Sequence, residues 1–510
     1  MKAKTLSNAI WNVVNGSSSA LVAVIVPPFL TRLLAPDAYG AWAVALQIGA
    51  YVGLFGFGIQ MAVGRYVAYC DARGDREQRD GIVATAFWFL TTASVAAFLV
   101  ILAAAFSIQR LLPELDPALV GQTRSAIVLV GLSLAINLPA SVFAAIFTGL
   151  QRSHVPAQIQ GAGRILLACG LIAAGQFRDI GVLGLVYVLI SALTVAGLWF
   201  AWRTRTPAPS LALRKVSAAH GRELASFCFS LTIWNFAMLM VSGLDLLIVG
   251  RYDYASTAFF AVSVTLTTLV SGVLSSLAGA LVPAAASVDH AEGTAELRTL
   301  LFRASRLILA ASIVVSAPLI FQGQAILNMW VGPAYAAQAT ILLAVLVLAT
   351  LIRNAMVPYV TVAIGIGYQR RMFATPLVEG AVSVIASVVL CQLLGAIGVA
   401  VAKAIGAVVG VALLLVQHPL KQPLGGVSRF DYFRHCVMQP ALALIPIAAV
   451  GWLVDRTLPD VGLVGPGLIF AAAVVAVWFF TLSSEDRTFA IQVVRHRGSL
   501  RHPSGPRAEG

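Results

Sequence analysis

Five ionisable side chains of this chain, Arg164, Asp245, Arg353, Glu379 and Lys403, lie within or at the ends of long apolar runs. A charge in the middle of a lipid-spanning segment costs about 2.5–3.5 kcal/mol on insertion scales, so such a residue ordinarily faces a wet cavity or a partner. Arg164, Arg353, Glu379 and Lys403 come from four different runs, and convergence of their charges would need a shared interior space. Two chemistries are open. In one, Arg164, Arg353 and Lys403 line a cationic lumen for an anionic substrate, and Glu379 binds a proton or a sodium ion and couples transport to a gradient. In the other they form structural ion pairs, such as Glu379 with Lys403 or with Arg353. Asp245 lies about one turn from the end of its run, near Arg251, and is either a second ion-coupling candidate or half of an interfacial pair.

Asn12 and Asn15, followed by Gly16 and three serines, give the first apolar run a polar face, and Pro27-Pro28 marks a bending point in it. Trp234-Asn235 places a similar polar group on the seventh run. The three asparagines are cavity candidates, with packing between helices through small residues as the alternative. Trp42, Trp199, Trp202, Trp330 and Trp452 stand near run ends and read as interfacial anchors. Enzyme signatures are missing: the chain has no Gly-rich loop ending in GK[ST], no HExxH and no GxSxG. Gly56-Phe57-Gly58 lacks a strand-to-helix context and reads as helix packing. The five cysteines form no CxxC pair, so neither a disulfide framework nor a metal site is implied. No cofactor is expected beyond a coupling proton or sodium ion.

The elements that would position these residues follow from composition. Of 510 residues, 59% are apolar and only 11% are charged, against about 25% charged in soluble domains. Apolar stretches long enough to span a bilayer recur from near 8–34 to near 467–482, giving about 14 transmembrane helices in an all-α polytopic membrane protein. Lys2 and Lys4 precede a first run without a small-residue cleavage site, the pattern of a retained signal anchor. Most of the 34 Lys and Arg residues fall in segments on one face if both termini are cytoplasmic. The net charge of +13 is therefore a topology signal, and nucleic acid is not an expected partner.

Short matches recur in order at nearly constant separation. Arg32 to Trp42 aligns with Arg251 to Ala261, Gly149-Leu150-Gln151-Arg152 with Gly367-Tyr368-Gln369-Arg370, and Ile180-Gly181-Val182 with Ile397-Gly398-Val399. They predict an internal duplication: an N-terminal lobe of helices 1–6 over residues 1–215 and a C-terminal lobe of helices 7–12 over 216–425, related by a pseudo-two-fold axis along the membrane normal with a cavity between them. An extra helix pair, 13 and 14, would occupy 426–485, and residues 486–510 would be a disordered cytoplasmic tail.

The stretch Phe29 to Ala45, with Phe55-Gly56-Phe57-Gly58 and Gly64-Arg65-Tyr66, resembles the opening of the bacterial polysaccharide transporter family, the Wzx-like oligosaccharide flippases. Leu244 to Arg251 is similar to that family's second-half counterpart, although Ala35 stands where Gly is common and Thr257 to Phe260 depart from the usual Gly-containing turn. The resemblance implies a member of the superfamily that also holds the multidrug and toxin extruders (MATE) and the lipid II flippases. It further implies two lobes rocking around a central cavity in the bacterial inner membrane. The implied cargo is an undecaprenyl-diphosphate-linked sugar repeat unit for O-antigen, capsule or exopolysaccharide. Membrane lipids, polysaccharide polymerase and export proteins are the implied partners, and helices 13 and 14 resemble the extra pair that cradles the lipid tail in lipid II flippases. The alternatives are a lipid II flippase-like or MATE-like ion-coupled exporter, a membrane-embedded polymerase or glycosyltransferase, and a non-transport scaffold.

Overall fold

The protein is described here by a computed structural model covering residues 22–56, 58–206, 209–279, 281, 285, 294–366, 374–417, 427–457, 462, 464–483 and 486–488. Among these residues the secondary structure is helical, with no strand. Twelve helical segments are long and apolar enough to cross a membrane, and two shorter apolar helices, Val22–Leu33 and Val464–Phe480, fall where the first and last runs were expected. The chain is a multi-pass membrane protein. Asn12, Asn15, the repeat match at Gly367 to Arg370 and the tail from 489 onward lie outside the described residues.

In chain order the helices are α1 (Val22–Leu33), α2 (Pro36–Ala50), α3 (Ile59–Arg73), α4 (Arg76–Phe106), α5 (Pro117–Gly149), α6 (His154–Gly175), α7 (Ile180–Arg205), α8 (Ala218–Ser242) and α9 (Asp245–Tyr252). They continue as α10 (Thr257–Gly279), α11 (Thr294–Phe321), α12 (Gly323–Trp330), α13 (Pro333–Asn354), α14 (Val357–Gly365), α15 (Ala374–Leu394), α16 (Ala396–Gln417), α17 (Leu444–Thr457) and α18 (Val464–Phe480). Short polar signals set several boundaries. Asp75, Asp116 and Asp179 accept from the backbone N–H groups of Gln78, Ala118 and Gly181 at 2.9, 2.8 and 2.7 Å, covering donors that the first helical turn leaves open. Gly74 ends α3 in the left-handed region, φ 70°, where a side chain would be strained.

By internal packing the chain forms two compact units. The first comprises Met1–Leu269, Leu327–Ala349 and Phe373–Gly410. Part of its core is built on α3, α4, α5 and α7, with Phe87, Phe143 and Trp202 in a run of ring contacts. α3 and α5 approach closely because Gly149 faces the Gly64 carbonyl: a Cβ at Gly149 would lie 2.6 Å from that oxygen. Trp42 and Trp202 are buried, at 2% and 3% exposure, and are core residues, not the interfacial anchors their position at run ends suggested. Each apolar ring body finds more contact inside the bundle than at its surface.

The second unit comprises Val270–Ile326, Thr350–Met372 and Val411–Gly510. There α17 and α18, the expected extra pair, pack on α11 through Ile313, Ala317, Ile447, Ile469 and Ala473. Gly451 admits the Phe321 ring, which a Cβ would meet at 2.9 Å. Beyond α18, Ser483 and Asp486 cap one another, and the buried Asp486 carboxylate pairs with Arg306 at 2.9 Å and Arg303 at 3.2 Å. Burial alone would raise this carboxyl, but the Ser483 and Arg306 hydrogen bonds and the Arg306 charge outweigh it and hold the group below its ordinary value.

Several expected spans are interrupted. Between α2 and α3 the chain takes a 3-10 turn over Tyr51–Gly56, and Gly58 enters α3 at φ 72°. This corrects the helix-packing reading of Gly56-Phe57-Gly58, since at Gly58 the backbone conformation itself requires glycine. The seventh span breaks at Gly243-Leu244, between α8 and α9, and the tenth at Ala355-Met356, between α13 and α14. In contrast, α1 remains helical through Pro27-Pro28. Pro28 has no N–H to offer the carbonyl of Val24 four residues earlier. Trp330 Nε1 donates to that carbonyl at 2.8 Å.

Candidate functional site

The break between α8 and α9 is the feature around which the first unit's polar groups gather. A helix interrupted inside the bundle leaves backbone carbonyls without their own donors, and these must be met by side chains or ligands. Gly243 C=O accepts from Tyr51 Oη at 2.5 Å and from Gln47 Nε2 at 2.9 Å. Val241 C=O accepts from Lys403 Nζ at 3.3 Å, and the same ammonium pairs with the Asp245 carboxylate, at the first residue of α9. Both partners are withdrawn from solvent, with side chains 17% and 6% exposed for Lys403 and Asp245. Arg251 donates to the carbonyl of Arg110, so the Asp245–Arg251 pair considered from sequence is replaced by Asp245–Lys403. The sequence could not favour Lys403, because it reaches Asp245 from another span.

Asp245 also faces a cavity of about 420 Å³ bounded by α1, α2, α6, α7, α8, α9 and α10. The walls are mainly apolar and aromatic, including Val26, Leu30, Trp42, Leu171, Leu246 and Phe260, with Gln47, Tyr187, Ser242 and Thr265 as polar points. Asp245 is the charged residue among those lining it. Arg164 on α6 stands behind this wall, within electrostatic reach of Tyr187. Asn235 is exposed on α8 and, like Arg164 and Lys403, does not line the cavity. Arg353, half-buried at the C-terminal end of α13, belongs to the second unit.

Glu379 occupies a different setting. It is 7% exposed on α15 and lies against α16, where a Cβ at Gly410 would fall 3.0 Å from its Oε2. The next residue, Gly380, sits against Met240 and the Ala237 carbonyl of α8. Small residues thus let α8, α15 and α16 close around a carboxylate. Gln47, Tyr51 and Trp330 were not singled out as functional by sequence reasoning. Gln47 carried one usable signal, an amide inside an apolar run, whereas Tyr51 and Trp330 carried none beyond residue type.

The model of the family described as "Polysaccharide biosynthesis protein" matches residues 29–340. The chain belongs to that family. A "Putative O-antigen transporter" of Shigella flexneri is 29% identical over 98 residues, covering 19% of this chain and 23% of that protein, so the match spans less than a quarter of the relative's length. Among solved structures, the chain is similar to the lipid II flippase MurJ in an inward closed conformation, with TM-score 0.71 and 13% identity over 96% of this chain and all of the other. It is also similar to an inward-facing MATE multidrug resistance transporter of the MOP superfamily, with TM-score 0.64 and 15% identity over 78% of this chain and 97% of that one. The family member therefore has the fold of MurJ and the MATE transporters, as the resemblance around Phe29 to Tyr66 implied.

Proposed function

We propose that this polysaccharide-biosynthesis family member is a flippase that moves an undecaprenyl-diphosphate-linked oligosaccharide from the cytoplasmic to the periplasmic leaflet of the bacterial inner membrane, with both termini cytoplasmic. The observation that carries the reading is the family match over residues 29–340 on a chain whose fold is that of MurJ. The partial likeness to a Shigella flexneri protein named for O-antigen transport supports the cargo class. Movement by alternating access of two six-helix lobes, 1–215 and 216–425, is consistent with interrupted spans, which give a membrane bundle places to bend.

In this reading the half-buried Arg164 attracts the diphosphate, and the apolar cavity beside Asp245 in the same unit accommodates part of a hydrocarbon chain. Asn12, Asn15 and Asn235 are additional candidates for sugar contacts. α17 and α18 would shelter lipid tail, as the resemblance to the lipid II flippases implies. Glu379 is the coupling group, taking a proton or sodium ion between helices packed closely enough to sense its charge. Polymerase and export proteins would act on the delivered repeat unit.

The test is deletion of the gene followed by analysis of lipid-linked intermediates. Accumulation of complete repeat units in the cytoplasmic leaflet supports flipping, whereas incomplete units would point to an enzyme of assembly. A second reading, a MATE-like exporter of organic cations, draws on the aromatic walls and carboxylate of the cavity. Neutralisation of Asp245 by Lys403 weighs against it. Hypersensitivity of the deletion strain to cationic dyes, with normal lipid intermediates, would favour it.

A further inference from the structure

The Lys403 ammonium occupies a position with the chemistry of a monovalent-cation site. It touches a backbone carbonyl, that of Val241, near the C-terminal end of α8, and the carboxylate of Asp245 at the start of α9. Carbonyls at the C-terminal end of a helix carry the negative end of its dipole, and with one carboxylate they make the oxygen environment in which discontinuous membrane helices hold sodium or a proton. We infer that Lys403 is a tethered cation, filling a monovalent-cation position between Val241 and Asp245 so that no solution ion is needed there.

The surroundings support an ammonium with a fixed station. The neighbouring carbonyl of Gly243 is already met by Gln47 and Tyr51, so the break is held open by side chains from α2 and the turn after it. Asp245 is 4% exposed, and an unpaired carboxylate there would be strongly disfavoured. Removing the lysine side chain's charge therefore leaves a vacancy suited to sodium, whereas removing both charges leaves none. The inference concerns this ion position and does not depend on what the protein carries.

The experiment uses the full-length purified protein and compares wild type, Asp245→Asn, Lys403→Met and the double variant Lys403→Met/Asp245→Asn. Thermal unfolding is followed while sodium chloride replaces choline chloride at constant ionic strength, with direct binding of radioactive sodium as a second readout. In Lys403→Met, sodium is expected to raise the unfolding midpoint saturably and to bind, and both effects are expected to disappear in the double variant. Wild type is expected to show no sodium response that Asp245→Asn removes. A Lys403→Met protein recovered only when sodium is present throughout purification also supports the assignment. The assignment is overturned if Lys403→Met shows no Asp245-dependent sodium binding or cannot be recovered with or without sodium. It is equally overturned if wild type already binds sodium through Asp245.

Discussion

The Tyr254 hydroxyl donates to the backbone carbonyl of Asp37 at 2.8 Å, tying together the two turns that the repeat pattern paired in sequence. The same contact region brings Gly40 against Thr257 and Ala258, both within 3.3 Å of where a Cβ would stand. Tyr254 also receives support from Glu114, which accepts its backbone N–H at 3.1 Å. Replacing Tyr254 by Phe keeps the ring and removes one buried hydrogen bond, for which a loss of about 0.5–1.5 kcal/mol is expected. Chemical or thermal unfolding of the purified variant in detergent measures it, and unchanged stability would mean that the hydroxyl contributes nothing.

Trp330 makes a different kind of tie. Its indole N–H meets the Val24 carbonyl that Pro28 leaves without a donor. Trp330→Phe should cost more than the same change at Trp199, whose ring is 48% exposed. The expected difference is about 0.5–1.5 kcal/mol, the net worth of one hydrogen bond. The additional change Pro28→Ala restores a helical donor and should recover much of it, which midpoints of the four proteins would reveal.

Breaking the Asp245–Lys403 pair on one side leaves a buried charge, whereas neutralising both sides does not. In sodium-free buffer, Asp245→Asn and Lys403→Met should each lose about 3–5 kcal/mol, and the double variant should lose clearly less than their sum. Additive losses in a double-mutant cycle would show that the two side chains do not interact.

Glu379 is expected to carry the ion dependence of transport. Glu379→Gln should preserve protein level and abolish the response of lipid-linked repeat-unit export to collapse of the proton or sodium gradient. An export rate that follows the gradient as in wild type would remove Glu379 from coupling.

Asp486 gives a pH-dependent term with a defined sign. Its folded value lies below the ordinary one because Ser483 and Arg306 outweigh the cost of burial. A depressed carboxyl contributes stability that is fully present above its unfolded value, about pH 4, and is lost as pH falls through the lower folded value. The stability difference between wild type and Asp486→Asn should therefore be constant from neutral pH down to the carboxylate range and shrink below it. Unfolding midpoints across that range test this, and a difference that grows on acidification would contradict the assignment.

The residue pattern by itself determined the membrane class, most span positions and the family, because lipid imposes a length and polarity rule that every spanning segment must meet locally. It also marked Asp245, Glu379 and Lys403 as costly enough to need an explanation. Which groups answer them was decided only by tertiary structure. Lys403 reaches Asp245 from a span 158 residues later, and Asp253 accepts from the Ala396 N–H across 143 residues. Such distances in sequence carry no periodic signal. The interruptions at Gly58 and Gly243 were likewise hidden within apolar runs, since hydropathy records whether a segment tolerates lipid and says nothing of where its backbone hydrogen bonds are exchanged for side chains. Tyr51, Gln47 and Trp330 meet backbone groups, and a backbone acceptor leaves no residue type in the sequence to announce it.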